Sequence, residues 1–378
     1  AGTRLLVRLA STDLSESITL PLITSLRKDY SADQARAALE IARLRLKAVD
    51  KFGADASLMF FTRDALEQAS DPLVRRYRAS QVGAVRVVDA CCGIGADSLA
   101  LASIGADVIG LDLDAVRIEI ARHNAAALGL NARFQLADVR TSLPNAQVVF
   151  FDPGRRDEQG NRIHNVEHYF PPLSTIKAWP HQQVIVKLSP GVDLSQLASN
   201  EGRVEFISVN GDLKEAVLWR DGSPKALTAT LLTNNAEYHW QSSADLDSAD
   251  PLLSEPRVWL VEPDPALLRA GLVQDVATHF DGSLLDETIA YFTTDQKPDS
   301  PWLRSWAILD WMPFNLKHLR TYLRQHQVGH VTVKKRGTAV TPETLIPQLK
   351  LKGDESRVLV LTRFKGQQIV MICTDFAP

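Results

Sequence analysis

Cysteine is scarce in this chain of 378 residues: there are three, and two of them, Cys91 and Cys92, are adjacent. Adjacent cysteines rarely bridge each other, and no Cys-x-x-Cys spacing occurs, so neither a disulfide framework nor a zinc site is expected. His164 and His168 are four residues apart, but no third ligand accompanies them. The sequence therefore predicts a cytoplasmic protein without a metal, because thiols stay reduced in that compartment.

Long apolar runs are also missing. No stretch of about 18 apolar residues occurs, so no transmembrane helix and no membrane partner are expected. The first residues, Ala-Gly-Thr, lack the basic-then-apolar pattern of a secretory signal. A composition of 45% hydrophobic and 23% charged residues is ordinary for a soluble globular protein, and the length suffices for two or three domains.

Positive charge is unevenly distributed. Residues 301–378 carry twelve Lys/Arg and five Asp/Glu, a net +7, so the net charge of -3 leaves -10 for residues 1–300. A basic terminal module on an acidic body suggests a polyanionic partner. The alternative is an uneven but solvated surface.

The N-terminal part of the chain has helical periodicity. Residues 31–52 have apolar residues at helical spacing, with Ser31 as the predicted cap and Gly53 as the stop. Residues 62–80 predict a helical pair that is interrupted at Asp71-Pro72. Residues 1–80 are therefore predicted to form a helical N-terminal domain.

From residue 85 onward, short apolar runs alternate with helical segments, of which 115–128 is the clearest, and Asn210-Gly211-Asp212 indicates a hairpin. This alternation predicts a doubly wound parallel sheet within residues 81–240. Residues 241–300 are predicted as a linker, polar over 241–256, followed by a strand and a helix. Residues 301–378 are predicted as a small, basic α+β domain.

Residues 87–114, VVDACCGIGADSLALASIGADVIGLDLD, predict a strand, a glycine turn, a small-residue helix and a second strand. Ligands bind at the carboxyl edge of such a sheet, where Gly93 and Gly95 let the backbone approach closely. A dinucleotide site, a methyl-donor site and a plain α/β crossover all share this outline. A dinucleotide site requires a third glycine, and Ser98 holds that place.

Three acids follow three successive strands of this region. Asp89 lies beside the glycine turn, where a carboxylate disfavours a pyrophosphate and favours a cationic ligand such as S-adenosylmethionine. Asp112 is suited to accept from both ribose hydroxyls, and Asp138 from an adenine amino group. Packing alone does not require an acid at each strand end, so the set favours a methyl-donor site.

Three motifs carry a resemblance to the class I S-adenosylmethionine-dependent methyltransferases. DACCGIGADSLALA resembles their glycine loop, VIGLDLD their ribose-binding motif and LAD their adenine-contact motif. The resemblance implies an α/β fold with a Rossmann-like doubly wound sheet, here joined to the helical N-terminal domain and the small α+β C-terminal domain. It implies S-adenosylmethionine as cofactor, and the predicted cofactor-binding residues are Asp89, Cys91, Gly93, Gly95, Asp97, Asp112, Leu113, Asp138 and Val139.

A narrower resemblance runs over nearly the whole chain. FFTRDALEQAS, YRAS, FFDPGRR, YFPPL, EPDPALLRAGL and VKKRG are similar to a group of bacterial methyltransferase-domain proteins with a C-terminal THUMP-like domain. THUMP domains proper bind RNA, and the "-like" label implies a fold-level analogy.

The fourth strand ends in VVFFDPGRR, residues 148–156. Base-methylating relatives carry (N/D)PPY or similar here, and its aromatic residue stacks on the base. Asp152 and Pro153 match this motif. Gly154 replaces the second proline and Arg155 replaces the aromatic, which weakens the match to amino-group methylation.

The predicted catalytic residues are Asp152, Pro153, Arg155 and Arg156. Asp152 is expected to orient or deprotonate the acceptor, although alignment supplies most of the acceleration of methyl transfer. The two arginines suit a phosphate or carboxylate clamp, unless one of them pairs with an acid of the protein. Lys187 follows the fifth strand and either faces the same cleft or is solvated. Tyr169 and Phe170 form either a wall for a planar substrate or an edge of the core.

The basic end of the chain offers two clusters that predict RNA as partner. Three cations end a strand and three lie on one face of a helix: Lys334, Lys335 and Arg336, and Lys317, Arg320 and Arg324. The alternative is a module that docks on the acidic body. The leading interpretation is thus an S-adenosylmethionine-dependent methyltransferase acting on RNA. The other interpretations are a donor-binding protein that no longer catalyses, and a methyltransferase of a small molecule or protein.

Overall fold

The computed structural model of the protein describes residues 2–157, 159–242 and 252–374. It contains two compact units, the first formed by residues 1–204 and 214–225, and the second by residues 205–213 and 226–378. Most of the predicted polar linker, residues 243–251, lies outside the described residues. The four-part domain division from the sequence stays a prediction.

Helices open the first unit, as the sequence predicts. Ser31 caps the long third helix in a capping box with Gln34, and Gly53 follows its last turn with a φ of 57°. Asp71 accepts from the amide of Leu73, with Pro72 as the first residue of its helix. The helices are α1 (Gly2–Ala10), α2 (Thr19–Leu26), α3 (Ala32–Phe52), α4 (Arg63–Gln68) and α5 (Pro72–Val82).

An α/β sheet follows these helices. The next elements in chain order are β1 (Arg86–Ala90), α6 (Ala96–Ser103), β2 (Asp107–Asp112), α7 (Ala115–Ala127), β3 (Ala132–Leu136), β4 (Val148–Phe151), β5 (Gln183–Leu188), β6 (Arg203–Val209), most of which belongs to the second unit, and β7 (Asp212–Arg220). In the first unit the strand order is β3-β2-β1-β4-β5-β7, parallel from β3 to β5, with β7 antiparallel to β5. The strand order reverses at β1, whose neighbours are β2 and β4, so the carboxyl ends of β1 and β4 form the crevice where such sheets bind ligands.

The sheet packs against the preceding helices through one apolar cluster that includes Met59, Phe61, Ile94, Ile118 and Phe134. A buried asparagine of α7 joins the same parts by hydrogen bonds. The side chain of Asn124 accepts from the amide of Phe60 at 2.7 Å and donates to the carbonyls of Phe60 and Ile94 at 3.1 and 3.3 Å. The segment before α4 is thereby fixed to the turn that follows β1.

The second unit is built on a seven-stranded sheet of order β11-β12-β10-β13-β16-β15-β14. Its elements in chain order are β8 (Leu227–Leu232), β9 (Glu237–Gln241), β10 (Trp259–Pro263), α8 (Pro265–Arg269), α9 (Val273–His279), β11 (Ser283–Asp286), β12 (Ile289–Thr294), β13 (Leu303–Pro313), α10 (Leu316–Gln325), β14 (Val328–Lys335), α11 (Pro342–Leu349), β15 (Glu355–Phe364) and β16 (Gln367–Thr374). The predicted boundary at residue 300 falls within this sheet, because β13 pairs with β10 on one side and β16 on the other.

The two faces of this sheet bury different partners. One face packs on α10 and α11 through Leu319, Leu323, Leu345 and Leu349. The other face closes over an apolar cluster that contains Trp306 and residues of β10, β12, β15 and β16. Among the described residues, no helix is long and apolar enough to cross a membrane.

Candidate functional site

The glycine turn between β1 and α6 has a backbone that requires glycine. Gly93 and Gly95 have φ values of 55° and 85°. A Cβ at Gly95 would lie 3.2 Å from the Cβ of Ala121 and from the ring of Phe134. The amide of Gly93 donates to Oδ2 of Asp112 at 2.9 Å, which joins the turn to the end of β2. Ala121 and Phe134 therefore pack closely against the turn at Gly95, and the hydrogen bond to Asp112 fixes its position.

Asp89 lies at the end of β1 and is buried. Ser98, which holds the place of a third glycine, donates to its Oδ2 at 2.5 Å. Its Oδ1 is buried as well and has no hydrogen-bond partner among the described residues. Burial, together with the nearby charge of Asp97, raises the pKa of Asp89 to about 8. Such a carboxyl at the ligand edge of a sheet is suited to a cationic group.

Asp112 ends β2 and is nearly buried. Its Oδ1 accepts from the amide of Asp114 at 3.0 Å, while Oδ2 accepts from Gly93. Each oxygen keeps a second lone pair, as acceptance from two ribose hydroxyls requires. Leu113 follows with a side chain that is 48% exposed, so an apolar surface adjoins the carboxylate.

The structure places Asp138 two residues beyond β3, where its carboxylate is already engaged. Arg140 donates to both of its oxygens, at distances from 2.7 to 3.0 Å. These hydrogen bonds hold the pKa of Asp138 below its usual range. Next to it, the carbonyl of Val139 accepts from Nε1 of Trp179 at 3.1 Å. An adenine amino group would therefore share this carboxylate with Arg140.

Asp97 has a partner that the sequence does not reveal. It lies in the first turn of α6 and forms an ion pair with the buried Arg78 of α5, which also pairs with Glu215 of β7. Burial opposes its charge, yet Arg78 keeps the pKa of Asp97 below its usual value. Asp97 thus joins α6 to α5 and β7, which favours a structural role over the predicted contact with cofactor.

The adjacent cysteines lie in the turn but are poor nucleophiles. Cys91 has a positive φ of 68°, and Cys92 is buried. Burial, with the charge of nearby acids such as Asp112 and Asp89, raises the pKa of both thiols well above the usual value. Both residues are therefore thiols at neutral pH, and any contact of Cys91 with a ligand is one of packing.

The carboxyl end of β4, with the loop that follows it, carries the predicted catalytic residues and is called the acceptor edge below. Asp152 directly follows β4, and its amide donates to the carbonyl of Ala90 at 3.2 Å. Nζ of Lys187, buried on β5, donates to its Oδ2 at 2.7 Å. Nη2 of Arg155 lies 3.8 Å from its Oδ1. Lys187 therefore faces the cleft rather than solvent, and one of the two predicted clamp arginines does pair with an acid of the protein. Pro153, which follows Asp152 in the sequence, is buried.

A loop closed by two backbone bridges extends from this edge. Gly154 pairs with Phe170, and Arg156 pairs with Arg162. The side chain of Arg156 is exposed and donates to the carbonyl of Gly160 at 2.8 Å. His164 and His168 are exposed, and no cluster of metal-binding side chains occurs among the described residues. The loop thus carries three arginines, Arg155, Arg156 and Arg162, of which Arg155 lies next to Asp152.

The two aromatic residues of the loop differ in environment. Tyr169 is buried, and burial raises the pKa of its hydroxyl. Phe170 is 56% exposed, and the guanidinium of Arg140 lies 5.4 Å from its ring centroid. Tyr169 is therefore part of the core, whereas Phe170 is available at the surface.

The predicted RNA-binding cations divide into two sets. Lys334 and Arg336 form ion pairs with Glu262 of β10, and they lie over the rings of Trp306 and Tyr291 at 4.0 and 4.9 Å. Strand alternation turns Lys335 to the opposite side. Arg320 is half-buried, and its Nε donates to the carbonyl of Gln348 in α11 at 2.5 Å. The exposed members of the predicted set are Lys317, Arg324 and Lys335.

The strand order β3-β2-β1-β4-β5-β7 with an antiparallel β7, the glycine turn after β1 and the acids of β1 and β2 together match the class I methyltransferase fold. Three family models match the chain. A methyltransferase domain matches residues 87–152, a THUMP domain-like model matches residues 303–375, and a domain of unknown function matches residues 1–48.

The similarity to known proteins extends over nearly the whole chain. The chain is 33% identical over 342 residues to a Mycobacterium tuberculosis (strain H37Rv) protein described as an uncharacterized S-adenosylmethionine-dependent methyltransferase, covering 88% of this chain and 93% of that protein. A crystal structure of a protein from Porphyromonas gingivalis W83, provisionally assigned as a methyltransferase, superposes with a TM-score of 0.76 at 19% identity, covering 96% of this chain and 99% of that one. At this level of identity, the superposition with the Porphyromonas gingivalis protein shows that the two chains share a fold.

The chain belongs to the S-adenosylmethionine-dependent methyltransferases, and S-adenosylmethionine is its cofactor. The residues at the edge of the sheet fit that cofactor. The buried and unpartnered Oδ1 of Asp89 is suited to its ammonium group, and Asp112 retains acceptor capacity for its ribose. The expected fold class and cofactor are thus confirmed.

A shorter likeness covers about a fifth of the chain. Over 83 residues the chain is 42% identical to an uncharacterized RNA methyltransferase of Parasynechococcus marenigrum, which covers 20% of this chain and 18% of that protein.

Proposed function

We propose that this methyltransferase acts on RNA. The observation that carries the proposal is the group of arginines on the loop after Asp152, where Arg155 lies 3.8 Å from Asp152 and the backbone of Arg156 pairs with that of Arg162. Guanidinium groups bind phosphate in a bidentate fork, and phosphates are the recurring feature of an RNA chain. The description of the Parasynechococcus relative and the THUMP domain-like match support the same substrate class.

The proposed donor site consists of Asp89, Gly93, Gly95 and Asp112, with Cys91, Leu113, Asp138 and Val139 around them. Asp89 binds the cationic end of the cofactor, and Asp112 binds the ribose. The turn at Gly93 and Gly95 lets the backbone pass close to the ligand. Bound S-adenosylmethionine supplies a methyl group on a positively charged sulfur. Asp97 lies outside the proposed donor site, because its carboxylate already pairs with Arg78.

The proposed acceptor site consists of Asp152, Pro153, Arg155 and Arg156. The Asp152 carboxylate accepts a hydrogen bond from an N–H or O–H of the acceptor and so orients the nucleophile toward the donor. Lys187 holds the carboxylate in place from the core side. Alignment of this kind supplies most of the acceleration in a methyl transfer, since the protein need not form a covalent intermediate.

The proposed division of the chain is a helical part at 1–80, the methyltransferase part at 81–240, a segment at 241–300 and the basic part at 301–378, the last two of which share one sheet through the pairing of β10 with β13. We also propose a cytoplasmic location, since RNA substrates and free cysteines are both typical of that compartment. Cys91, Cys92 and Cys373 are all free.

The test is incubation of the full chain with methyl-labelled S-adenosylmethionine and, separately, with bacterial total RNA, protein and small-molecule fractions. Label in RNA that is lost in the Asp152→Ala variant supports the proposal. Label confined to protein or small molecules overturns the RNA assignment. Donor binding without label in any fraction favours a protein that binds the donor but does not catalyse.

A further inference from the structure

The acceptor loop lacks an aromatic residue where base-methylating enzymes place one, since Arg155 stands there. The structure pairs the backbone of another aromatic residue, Phe170, with Gly154 of this loop. Phe170 is 56% exposed, although its neighbour Tyr169 is buried.

Backbone hydrogen bonds fix Phe170 beside the loop. The amide of Gly154 donates to the carbonyl of Phe170 at 2.8 Å, and the amide of Phe170 donates to the carbonyl of Gly154 at 2.9 Å. A Cβ at Gly154 would lie 3.3 Å from that same carbonyl, so a side chain at 154 would crowd this pairing. The glycine that replaces the second proline of the (N/D)PPY pattern is therefore what lets residue 170 approach, two positions from Asp152.

The ring of Phe170 is also held on one side. The guanidinium of Arg140 lies 5.4 Å from the ring centroid, and both oxygens of Asp138 accept from Arg140. This chain of contacts orients the aromatic plane without covering all of the ring. A pre-oriented aromatic plane costs less to order on binding than a mobile one.

We propose that Phe170 is the stacking surface for the nucleobase that receives the methyl group. This inference rests on the proposed RNA substrate and makes it more specific: the acceptor is a base unstacked from its neighbours, which lies on Phe170 while Asp152 binds its polar edge. Arg155 and Arg156 bind the adjoining phosphates. Single-stranded RNA is recognised in this way, with bases stacked on aromatic side chains and cations along the backbone.

The experiment compares Phe170→Ala, Phe170→Leu and Phe170→Trp in the full chain, measuring kcat and KM for label transfer from S-adenosylmethionine to total bacterial RNA. Stacking requires an aromatic ring, so kcat/KM falls about tenfold or more for Ala and Leu but stays within about threefold for Trp. Donor affinity by titration calorimetry stays unchanged in all three. Leu20→Ala, at a site 76% exposed on α2, serves as the control for loss of an exposed apolar side chain.

Full activity of Phe170→Leu would overturn the stacking role, because leucine replaces the apolar contact but not the ring. A loss in all three variants, Trp included, would also contradict it and indicate a packing role. Failure of the RNA proposal looks different, since the wild-type chain itself then transfers no label to RNA.

Discussion

The ammonium of Lys187 lies 2.7 Å from Oδ2 of Asp152, although the two residues are 35 positions apart in the sequence. Lys187 is buried on β5, while Asp152 is partly open to the cleft beyond β4. A buried ammonium is tolerated only when it is paired, so the lysine depends on the carboxylate as much as the carboxylate depends on the lysine. The pair joins the core of the sheet to the acceptor edge.

Replacing Lys187 by methionine should therefore impair methyl transfer while leaving donor binding intact. We expect kcat to fall about tenfold or more, because Asp152 loses the contact that fixes its orientation. Loss of the charged hydrogen bond should also lower the free energy of unfolding by about 1–3 kcal/mol. Steady-state kinetics and urea denaturation measure the two effects, with Lys187→Arg as the charge-preserving control.

The matched test is the double variant Lys187→Met/Asp152→Asn. If the two residues act as a pair, the double variant is hardly less active than either single variant. Losses that simply multiply would mean that Lys187 does not act through Asp152.

Donor binding should depend on pH through Asp89. Its folded-state pKa is about 8, raised by burial, so the carboxyl is mostly protonated at pH 6–7 and must ionise to pair with a cation. The affinity for S-adenosylmethionine is therefore expected to rise with pH below about 8, by at most about tenfold per unit, and to weaken as the pH falls. Calorimetry at pH 6.0–7.5, in buffers of different ionisation enthalpy, reports the released proton. An affinity independent of pH, or an Asp89→Asn variant with the same pH profile, would contradict this coupling.

Gly95→Ala should disrupt the donor site more than Gly105→Ala does. Both glycines have φ near 85–89°, so both substitutions carry a similar backbone strain of about 1–2 kcal/mol. Only at Gly95 would the new Cβ press on Ala121 and Phe134 at 3.2 Å, since at Gly105 the nearest atom lies at 3.8 Å. Calorimetric donor affinity should fall clearly for Gly95→Ala and stay near wild type for Gly105→Ala; equal affinities would mean that the turn adjusts freely.

Arg78 should be far more important for stability than an exposed arginine of the same sheet region. It is buried between Asp97 and Glu215, and burial opposes its charge while these acids raise its pKa. Arg78→Met leaves two buried carboxylates without their cation, and we expect a loss of about 3–5 kcal/mol in the free energy of unfolding. Arg86→Met, which breaks an exposed pair with Asp107, should cost less than about 1 kcal/mol. Urea denaturation compares the two, and similar losses would be inconsistent with the buried network.

RNA affinity should depend on the exposed cations of the second unit. Neutralising Lys317, Arg324 and Lys335 together should weaken binding to total RNA and reduce the slope of log K against log salt by about 0.7–0.9 per lost phosphate contact. Lys334→Ala/Arg336→Ala should change the slope little, because Glu262 already pairs with both cations. Filter binding at several salt concentrations measures both effects. A larger effect of the Lys334/Arg336 variant in a folded protein would mean that these two cations, and not the three exposed ones, contact RNA.

Local signals made much of the first unit predictable. Ser31 and Gly53 delimit α3, Asp114 caps α7, and the apolar runs of β1 to β5 are all strands. Caps and periodicity act within a few residues, so a single sequence carries them. Within the predicted helical part, the separate bounds of α1 and α2 are not predicted. The sequence pattern also does not predict the strands β8, β9 and β11–β13, of which β13 pairs with β10 and β16, both distant in the chain.

The contacts within the site are harder to predict from the sequence, because they depend on which distant elements become neighbours. The acids Asp89 and Asp112 could be predicted at strand ends, but the partners Arg78 and Lys187 are set by which elements become neighbours in space. The exposure of Phe170 and the burial of Tyr169 likewise follow from the pairing with Gly154, since the two adjacent aromatics look equivalent in sequence.

The strand β13 has a consequence for how proteins of this kind can diverge. Leu303–Ala307 pairs with β10, whereas Ile308–Pro313 pairs with β16, so one strand belongs to two halves of the sheet. The THUMP domain-like match begins at residue 303, the first residue of that shared strand. Gene shuffling that cut there would separate β13 from half of its hydrogen-bonding partners, so the heritable module must start upstream of β10 and travel with Glu262 and its two cations.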